Sequence, residues 1–230
     1  MANIPSPRIG AIDVPDTGRD GRLPDGGFTT LRVAPAAATE APGVVDVIAE
    51  AFLHDPTWSW AFPDPGMRRR WWQVCTEGAL RYPWVLRTDG FEAVSLWIPP
   101  DGTEFSAEQE ERLPDLLTGL VGTRAPEVTE LLSRFGEAHP RHAPHYYLSL
   151  LATADAHRGR GLGIALLREN LARIDLEGRP AYLESSNPAN NPRYEVLGFV
   201  PITSFRAPGG GPVVTGMWRQ GAHASGSGAG

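Results

Sequence analysis

The segment HYYLSLLATADAHRGRGLG, residues 145–163, decides the reading of this chain: an apolar, strand-like run empties into a glycine-rich turn that opens a helix. A helix begins with backbone N–H groups that lack an intrahelical partner, and its aligned peptide dipoles leave partial positive charge there. Such an end holds phosphate without a metal or a lysine. Gly159, Gly161 and Gly163 remove the side chains that would keep a pyrophosphate from those amides. Two better-known phosphate loops do not fit. The dinucleotide loop needs a glycine five residues after its first, and counting from Gly159 or Gly161 reaches Ile164 or Leu166. The P-loop needs a lysine, and here all 21 basic residues are arginine. That also excludes a Schiff-base lysine, hence ordinary pyridoxal phosphate chemistry.

Outward from the turn, a helix reads over 161–177, with Ile164, Leu167, Leu171 and Ile174 on one face and Gly178 as its stop. A short strand over 181–184 leads into NPANNPRYEVLGF, residues 187–199. Upstream, a strand fits 28–33, and Thr39 or Glu40 opens an amphipathic helix carrying Val44, Val45, Ile48 and Phe52, which ends at Pro56. An aromatic run, Trp58, Trp60 and Phe62, precedes a helix over 66–82. Two strands, 84–87 and 91–98, pair as a hairpin about Asp89-Gly90. Helices follow at 106–121, where Ser106 and Gln109 fit a capping box, and at 126–137. Strands return at 145–153, 200–205 and 213–218. This order predicts a mixed α/β fold with a central sheet of about seven strands and helices on both faces.

The two signatures, Arg158-x-x-Gly161-x-Gly163 and an Asn with Tyr194-Glu195 ahead of Gly198-Phe199, stand in order with one helix and one strand between them. Here the chain resembles the GNAT superfamily of acetyl-CoA-dependent N-acetyltransferases. Within it, the opening at His145 to Leu148, YLESS with Asn-Pro, and PRYEVLGF are similar to the puromycin N-acetyltransferases and their actinobacterial relatives, over roughly residues 143–218. AFLHDPTWSWAFPD, residues 51–64, is a looser echo.

The resemblance implies that Leu151, Ala152 and Thr153 present backbone groups to the pantetheine and the thioester. It implies that Arg158, Gly159, Arg160, Gly161, Leu162 and Gly163 hold the pyrophosphate of acetyl-CoA, and that Asn191 contacts the pantetheine arm. Asp155-Ala156 stands where relatives often have a proline turn, and Asn190-Asn191 leaves the asparagine ambiguous by one position. Thioester aminolysis needs a route to deprotonate an ammonium, donors for the carbonyl oxygen and an acid near sulfur. Tyr194 aligns with the tyrosine that faces the coenzyme sulfur in the family, as its acid or as a packing contact. Glu184, ending the strand after the helix, is a candidate base or a salt-bridge partner. His142 and His145 are rivals, since histidine titrates near neutrality. Asp55, Trp58 and Trp60 offer an aromatic wall with an acidic point for an amine on an apolar body, although large aromatics also fill cores.

Composition sets the outer bounds. A chain of 230 residues with 41% apolar residues suits one domain with tails: a disordered leader over 1–27, a domain over 28–220 and a flexible tail over 221–230. Residues 28–142 shape the acceptor side, and 143–220 bind the coenzyme. A net charge of −6 argues against a nucleic-acid partner, and the one basic run, Arg68 to Arg70, reads as the solvated side of a helix. The single cysteine, Cys75, reads as a buried thiol, and no Cys/His cluster has zinc spacing, so no metal is expected. No run approaches the roughly 18 apolar residues of a membrane span, and a signal-peptide h-region is lacking, so a cytoplasmic monomer or homodimer is expected. Three functions fit: acetylation of a small-molecule amine, for self-resistance or natural-product tailoring; N-terminal acetylation of a protein or peptide; and a non-catalytic coenzyme sensor. The two helices inserted before His145 would narrow a peptide groove, and Tyr194 counts against a sensor.

Overall fold

The computed structural model describes residues 12–14 and 29–222. Most of the expected leader and the tail from residue 223 lie outside the described residues. Within the leader, Ile12–Val14 (β1) pairs antiparallel with Thr29–Leu31 (β2). The chain then runs through β3 (Val33–Pro35), α1 (Ala41–Ala51), α2 (Pro56–Ala61), α3 (Pro65–Ala79), β4 (Val85–Thr88), β5 (Ala93–Ile98), α4 (Ala107–Val121) and α5 (Ala125–Ala138). It continues with β6 (Tyr146–Thr153), α6 (Leu162–Leu176), β7 (Ala181–Ser185), α7 (Asn191–Glu195), β8 (Val200–Arg206) and β9 (Val213–Arg219). Strands β3 to β9 form one seven-stranded sheet in the order β3-β4-β5-β6-β7-β9-β8.

Every pairing in that sheet is antiparallel except β6 with β7, which are joined through α6 as parallel strands require. That pairing covers only Tyr146–Leu148 against Ala181–Leu183, so the remainder of β6 and the end of β7 diverge. A β-bulge on β6 marks where they part. Leu96 pairs with Leu150 and Trp97 with Leu148, which leaves Ser149 as an extra residue. One inserted residue reverses the alternation of side chains. Tyr146 and Leu148 therefore pack with Leu167, Leu171 and Ile174 of α6, whereas Leu150 and Ala152 pack on the opposite face with α1 and α3.

The larger core lies on that opposite face, where Val44 and Ile48 of α1, Trp71 and Trp72 of α3, Leu117 of α4 and Leu131 of α5 meet Val94 and Leu96. On the α6 face, Asn170 Oδ1 accepts from Ser95 Oγ at 2.7 Å and from Trp97 Nε1 at 2.8 Å, which registers the helix against β5. The capping box of α4 is formed at both ends, with Gln109 N–H donating to Ser106 Oγ and Ser106 N–H donating to Gln109 Oε1.

Two expectations need correction. Arg68 does not face solvent: it is 4% exposed, and its guanidinium donates to the carbonyls of Phe52, Leu53 and Phe62. It ties together the segment that joins α1 to α3 by pairing those carbonyls. Pro56 does not end a helix: α1 stops at Ala51, and Pro56 opens the short helix α2 that carries the aromatic run, with Asp55 as its N-cap. Cys75 is buried, and burial pushes its thiol well above the ordinary range.

Candidate active site

The divergence of β6 and β7 opens a cleft that runs along the N-terminus of α6, with a cavity of about 680 Å³ lined by Leu151, Thr153, Arg158, Gly159, Gly161, Leu162, Gly163, Asn190 and Tyr194. Gly159 and Gly161 adopt φ of 79° and 75°, the left-handed region that disfavours other residues. As N-cap of α6, Gly161 supplies no side-chain acceptor, so the first helix amides keep their hydrogen-bonding capacity. A Cβ on Gly163 would stand 2.6 Å from Thr153 Oγ1, so glycine lets the helix start close against β6. Arg158, which pairs with Asp155 at 2.6 Å, and Arg193 also line the cleft, with His54, His157 and one carboxylate, Asp55. A Gly161→Val variant should pay about 1–2 kcal/mol for the left-handed backbone and place a branched side chain at the amides. Calorimetric titration of acetyl-CoA should then show a loss of affinity well beyond that of a Gly161→Asn control, since asparagine tolerates this conformation.

A second cavity of about 330 Å³ adjoins the cleft, and Phe52, Leu151, Asn190 and Tyr194 line both. Its walls are aromatic: Trp58, Trp71 and Trp72, with Phe105 and Phe135. Trp58 meets Trp72 edge-on with centroids 5.0 Å apart and stacks on Phe135 at 5.7 Å. Helices α4 and α5 close it with Leu113, Leu132 and Gly136. Three carboxylates, Glu104, Glu110 and Glu184, line it, and no arginine does. An aromatic box with acidic groups and no fixed cation attracts an ammonium through the ring faces and through Coulomb attraction.

Tyr194 stands where the two cavities meet. Its ring packs edge-on against Phe199 at 6.2 Å. Burial, with the negative charge of Asp55 adding and Arg193 opposing, pushes its phenol up to about 12. The hydroxyl is therefore a donor throughout the neutral range. Glu184, at the end of β7, has a side chain only 2% exposed; its Oε2 has no partner and its Oε1 faces His139 Nδ1 at 3.7 Å. Glu104 accepts a hydrogen bond from the bulged Ser149. Burial raises the Glu104 carboxyl, the Ser149 hydroxyl opposes this, and the charge of Glu184 adds to it.

The fold brings Asp55, Leu151, Thr153, Arg158, Gly159, Gly161, Leu162, Gly163 and Tyr194 to the cleft and sets Glu184 and Trp58 in the adjoining cavity. The side chain of Ala152 is buried in the core, since the bulge has turned that parity away from α6, which leaves its backbone as the part expected to meet a ligand. Arg160 points outward and meets His157 Nδ1 at 3.0 Å. Of the two adjacent asparagines, Asn190 lines both cavities, whereas Asn191 donates to Thr215 Oγ1 on β9 at 3.2 Å. Trp60 turns away beneath the Arg124 guanidinium, 5.0 Å from its ring. Asp55 is committed to capping: Oδ1 accepts from the N–H groups of Thr57 and Trp58, and Oδ2 from Ser186 Oγ at 2.7 Å. Asp55→Ala should cost about 0.5–2 kcal/mol in thermal or urea unfolding. Asp55→Asn, which keeps a cap, should retain both stability and the KM for the amine; an amine-holding carboxylate would not tolerate it. Glu104, His139 and Ser149 carry no local motif and enter the site only through the topology.

No family model matches the chain. Among solved structures, it is similar to one described as histone acetyltransferase HPA2 and related acetyltransferase from Corynebacterium glutamicum, at 28% identity over 86% of this chain and 99% of that one, with a TM-score of 0.56. It also matches a polyamine N-acetyltransferase from Drosophila melanogaster at 15% identity, over 83% of this chain and 99% of that one, with a TM-score of 0.60. Arylalkylamine N-acetyltransferase 2 from Aedes aegypti matches at 11% identity, over 83% and 98%, with a TM-score of 0.60. The chain has the GNAT fold, and the first likeness, at 28% identity, supports an N-acetyltransferase enzyme.

Proposed function

We propose that this GNAT-fold N-acetyltransferase moves an acetyl group from acetyl-CoA to the primary amine of a small molecule with an apolar or aromatic body. The observation that carries the reading is the opposite polarity of two joined cavities. The cleft at α6 carries Arg158, Arg193 and the uncapped amides of the helix start, which suits a pyrophosphate. The adjoining pocket is aromatic and acidic, which suits an ammonium. Tyr194 and Leu151 stand at their junction, where the thioester carbon and the amine nitrogen would meet.

The chemistry follows from the groups present. Glu184 takes a proton from the ammonium and leaves the nitrogen lone pair free to attack the thioester carbonyl. Backbone groups of β6 around Leu151, released from pairing with β7, orient the thioester. The Tyr194 hydroxyl donates to the departing sulfur. Its raised pKa lies above the ~8.5 of a simple thiol, so it acts first as a hydrogen-bond donor; the same dry wall raises the thiolate's own affinity for a proton. Both substrates occupy their cavities together, and the reaction is direct attack within a ternary complex.

The roof of α4 and α5 favours a compact acceptor over a protein N-terminus. Together with the likeness to puromycin N-acetyltransferases in residues 143–218, it supports a role in self-resistance or in tailoring an aminated natural product. A thiol-release assay with acetyl-CoA against puromycin, arylalkylamines, polyamines, aminoglycosides and an N-terminal peptide tests this. Release with a compact aromatic or apolar amine is the expected result. Release with the peptide alone would transfer the reading to protein acetylation, and saturable acetyl-CoA binding with silence across the panel would favour a sensor.

A further inference from the structure

Glu184 is enclosed, so a proton it takes from an amine needs an exit. His139, just beyond α5, places its Nδ1 3.7 Å from Oε1, and the Tyr147 and Tyr182 phenols also reach the carboxylate. His139 also lines a further cavity of about 500 Å³, on the far side of Glu104 and Tyr147, which Arg141, His142 and His145 border. Its side chain is 34% exposed, whereas that of Glu184 is 2% exposed. The histidine thus bridges the closed carboxylate and an open chamber.

The tautomers follow from the contacts. His145 Nδ1 lies 2.8 Å from the Ala143 carbonyl, which can only accept, so that nitrogen carries hydrogen. His145 is 8% exposed, and burial holds its pKa below the ordinary value, which leaves Nε2 as a lone pair. That lone pair lies 3.1 Å from His139 Nε2, which must then be the N–H nitrogen of its ring. The nitrogen left facing Glu184 is His139 Nδ1, a proton acceptor whenever the ring is neutral.

Resting on the acetyltransferase reading of this site, we propose that His139 relays the amine's proton from Glu184 to solvent in the adjoining chamber, with His145 as the positioning residue that fixes its tautomer. In the first step an ammonium N–H bond breaks, a Glu184 O–H bond forms, and the nitrogen keeps the electron pair that attacks the thioester. In the second, the half-exposed imidazole closes its 3.7 Å gap to hydrogen-bond distance, that O–H bond breaks and His139 Nδ1–H forms, which restores the carboxylate and makes an imidazolium. Water in the chamber accepts the proton and returns the ring to neutrality. The groups facing His139 are Glu184 and Tyr182 from β7, Tyr147 from β6, His145 just before it, Glu104 from the loop after β5, and Arg141 and His142 beside it. The Tyr147 and Tyr182 phenols are pushed up by burial and by the Glu184 charge, so they remain neutral and do not intercept the proton.

Two measurements test the relay. In the first, His139→Ala lowers kcat by roughly 10²-fold, and added imidazole, admitted through the chamber, restores turnover in proportion to its free-base fraction. A variant as active as the wild type, or one that imidazole leaves unchanged, overturns the proposal. The second uses the wild-type protein and needs no turnover. Long-range 1H–15N spectra of histidine-labelled protein should show His145 as the Nδ1–H tautomer at neutral pH, and an Nε2–H tautomer overturns it even if His139→Ala does not fold. A wild type inactive on every amine, with His145 in the expected tautomer, would defeat the functional reading and the relay's substrate with it. An active wild type with the wrong tautomer would defeat the relay alone.

Discussion

Tyr194→Phe should lower kcat by roughly 10² to 10⁴ with little change in the dissociation constant of acetyl-CoA. The ring keeps its packing against Phe199, so the variant removes one oxygen from the junction of the two cavities and leaves the wall intact. A transition-state donor lost in this way lowers kcat and kcat/KM together, whereas a lost ground-state contact raises KM alone. The sign of the pH dependence follows from the phenol. It is the donor form below its pKa, and burial pushes that pKa up to about 12. Tyr194 should therefore impose no alkaline loss of kcat between about pH 6 and pH 10, where an unperturbed phenol near 10 would begin to titrate. Steady-state kinetics across that range, alongside calorimetric binding, checks both statements. A fall of less than about threefold, within the reach of ordinary repacking rather than of acid catalysis, would remove Tyr194 from the mechanism.

Glu184→Gln should lower kcat/KM for the amine by a comparable roughly 10² to 10⁴ at neutral pH, and raising the pH should recover part of the loss. The amide matches the carboxylate in shape but cannot accept the ammonium proton. More of the amine is already free base at high pH, so the variant depends less on a protein base there. The substitution also removes one negative charge from a pocket that holds Glu104 and Glu110 as well, so KM for a cationic acceptor should rise. Full activity at every pH would leave water or a histidine as the base. Activity lost through misfolding is separated by the thermal transition, since Glu184 Oε2 makes no hydrogen bond that glutamine would forfeit.

The sequence carried the βαβ unit almost intact. Glycines at 159, 161 and 163 do what their positions suggest, two of them through left-handed φ angles. The hairpin about Asp89-Gly90 and the cap at Ser106 are local chemistry and both form, although the left-handed residue of the turn is Phe91 and β5 starts only at Ala93. The acceptor side was less legible because its geometry turns on small changes of phase. Trp58 and Trp60 share a face in an extended strand and take opposite sides in a helix; α2 is a helix, so one lines the pocket and the other lies under Arg124. Its signal was nonetheless present in Asp55-Pro56, an N-cap followed by proline. Asn190 and Asn191 differ by the same kind of step. The bulge at Ser149 has no motif, yet it redirects Ala152 into the core and Ser149 toward Glu104. Glu104 and His139 are brought to Glu184 from distant loops, and nothing near either of them in the chain announces it.

The measurement that bears most directly on the account is mass spectrometry of products after incubation with [13C]acetyl-CoA and the best amine of the panel, with free thiol counted in parallel. Direct transfer predicts one labelled acetyl on the amine nitrogen for each thiol released, and none retained on the protein. Thiol release without labelled amine, or label held covalently on the chain, would contradict it.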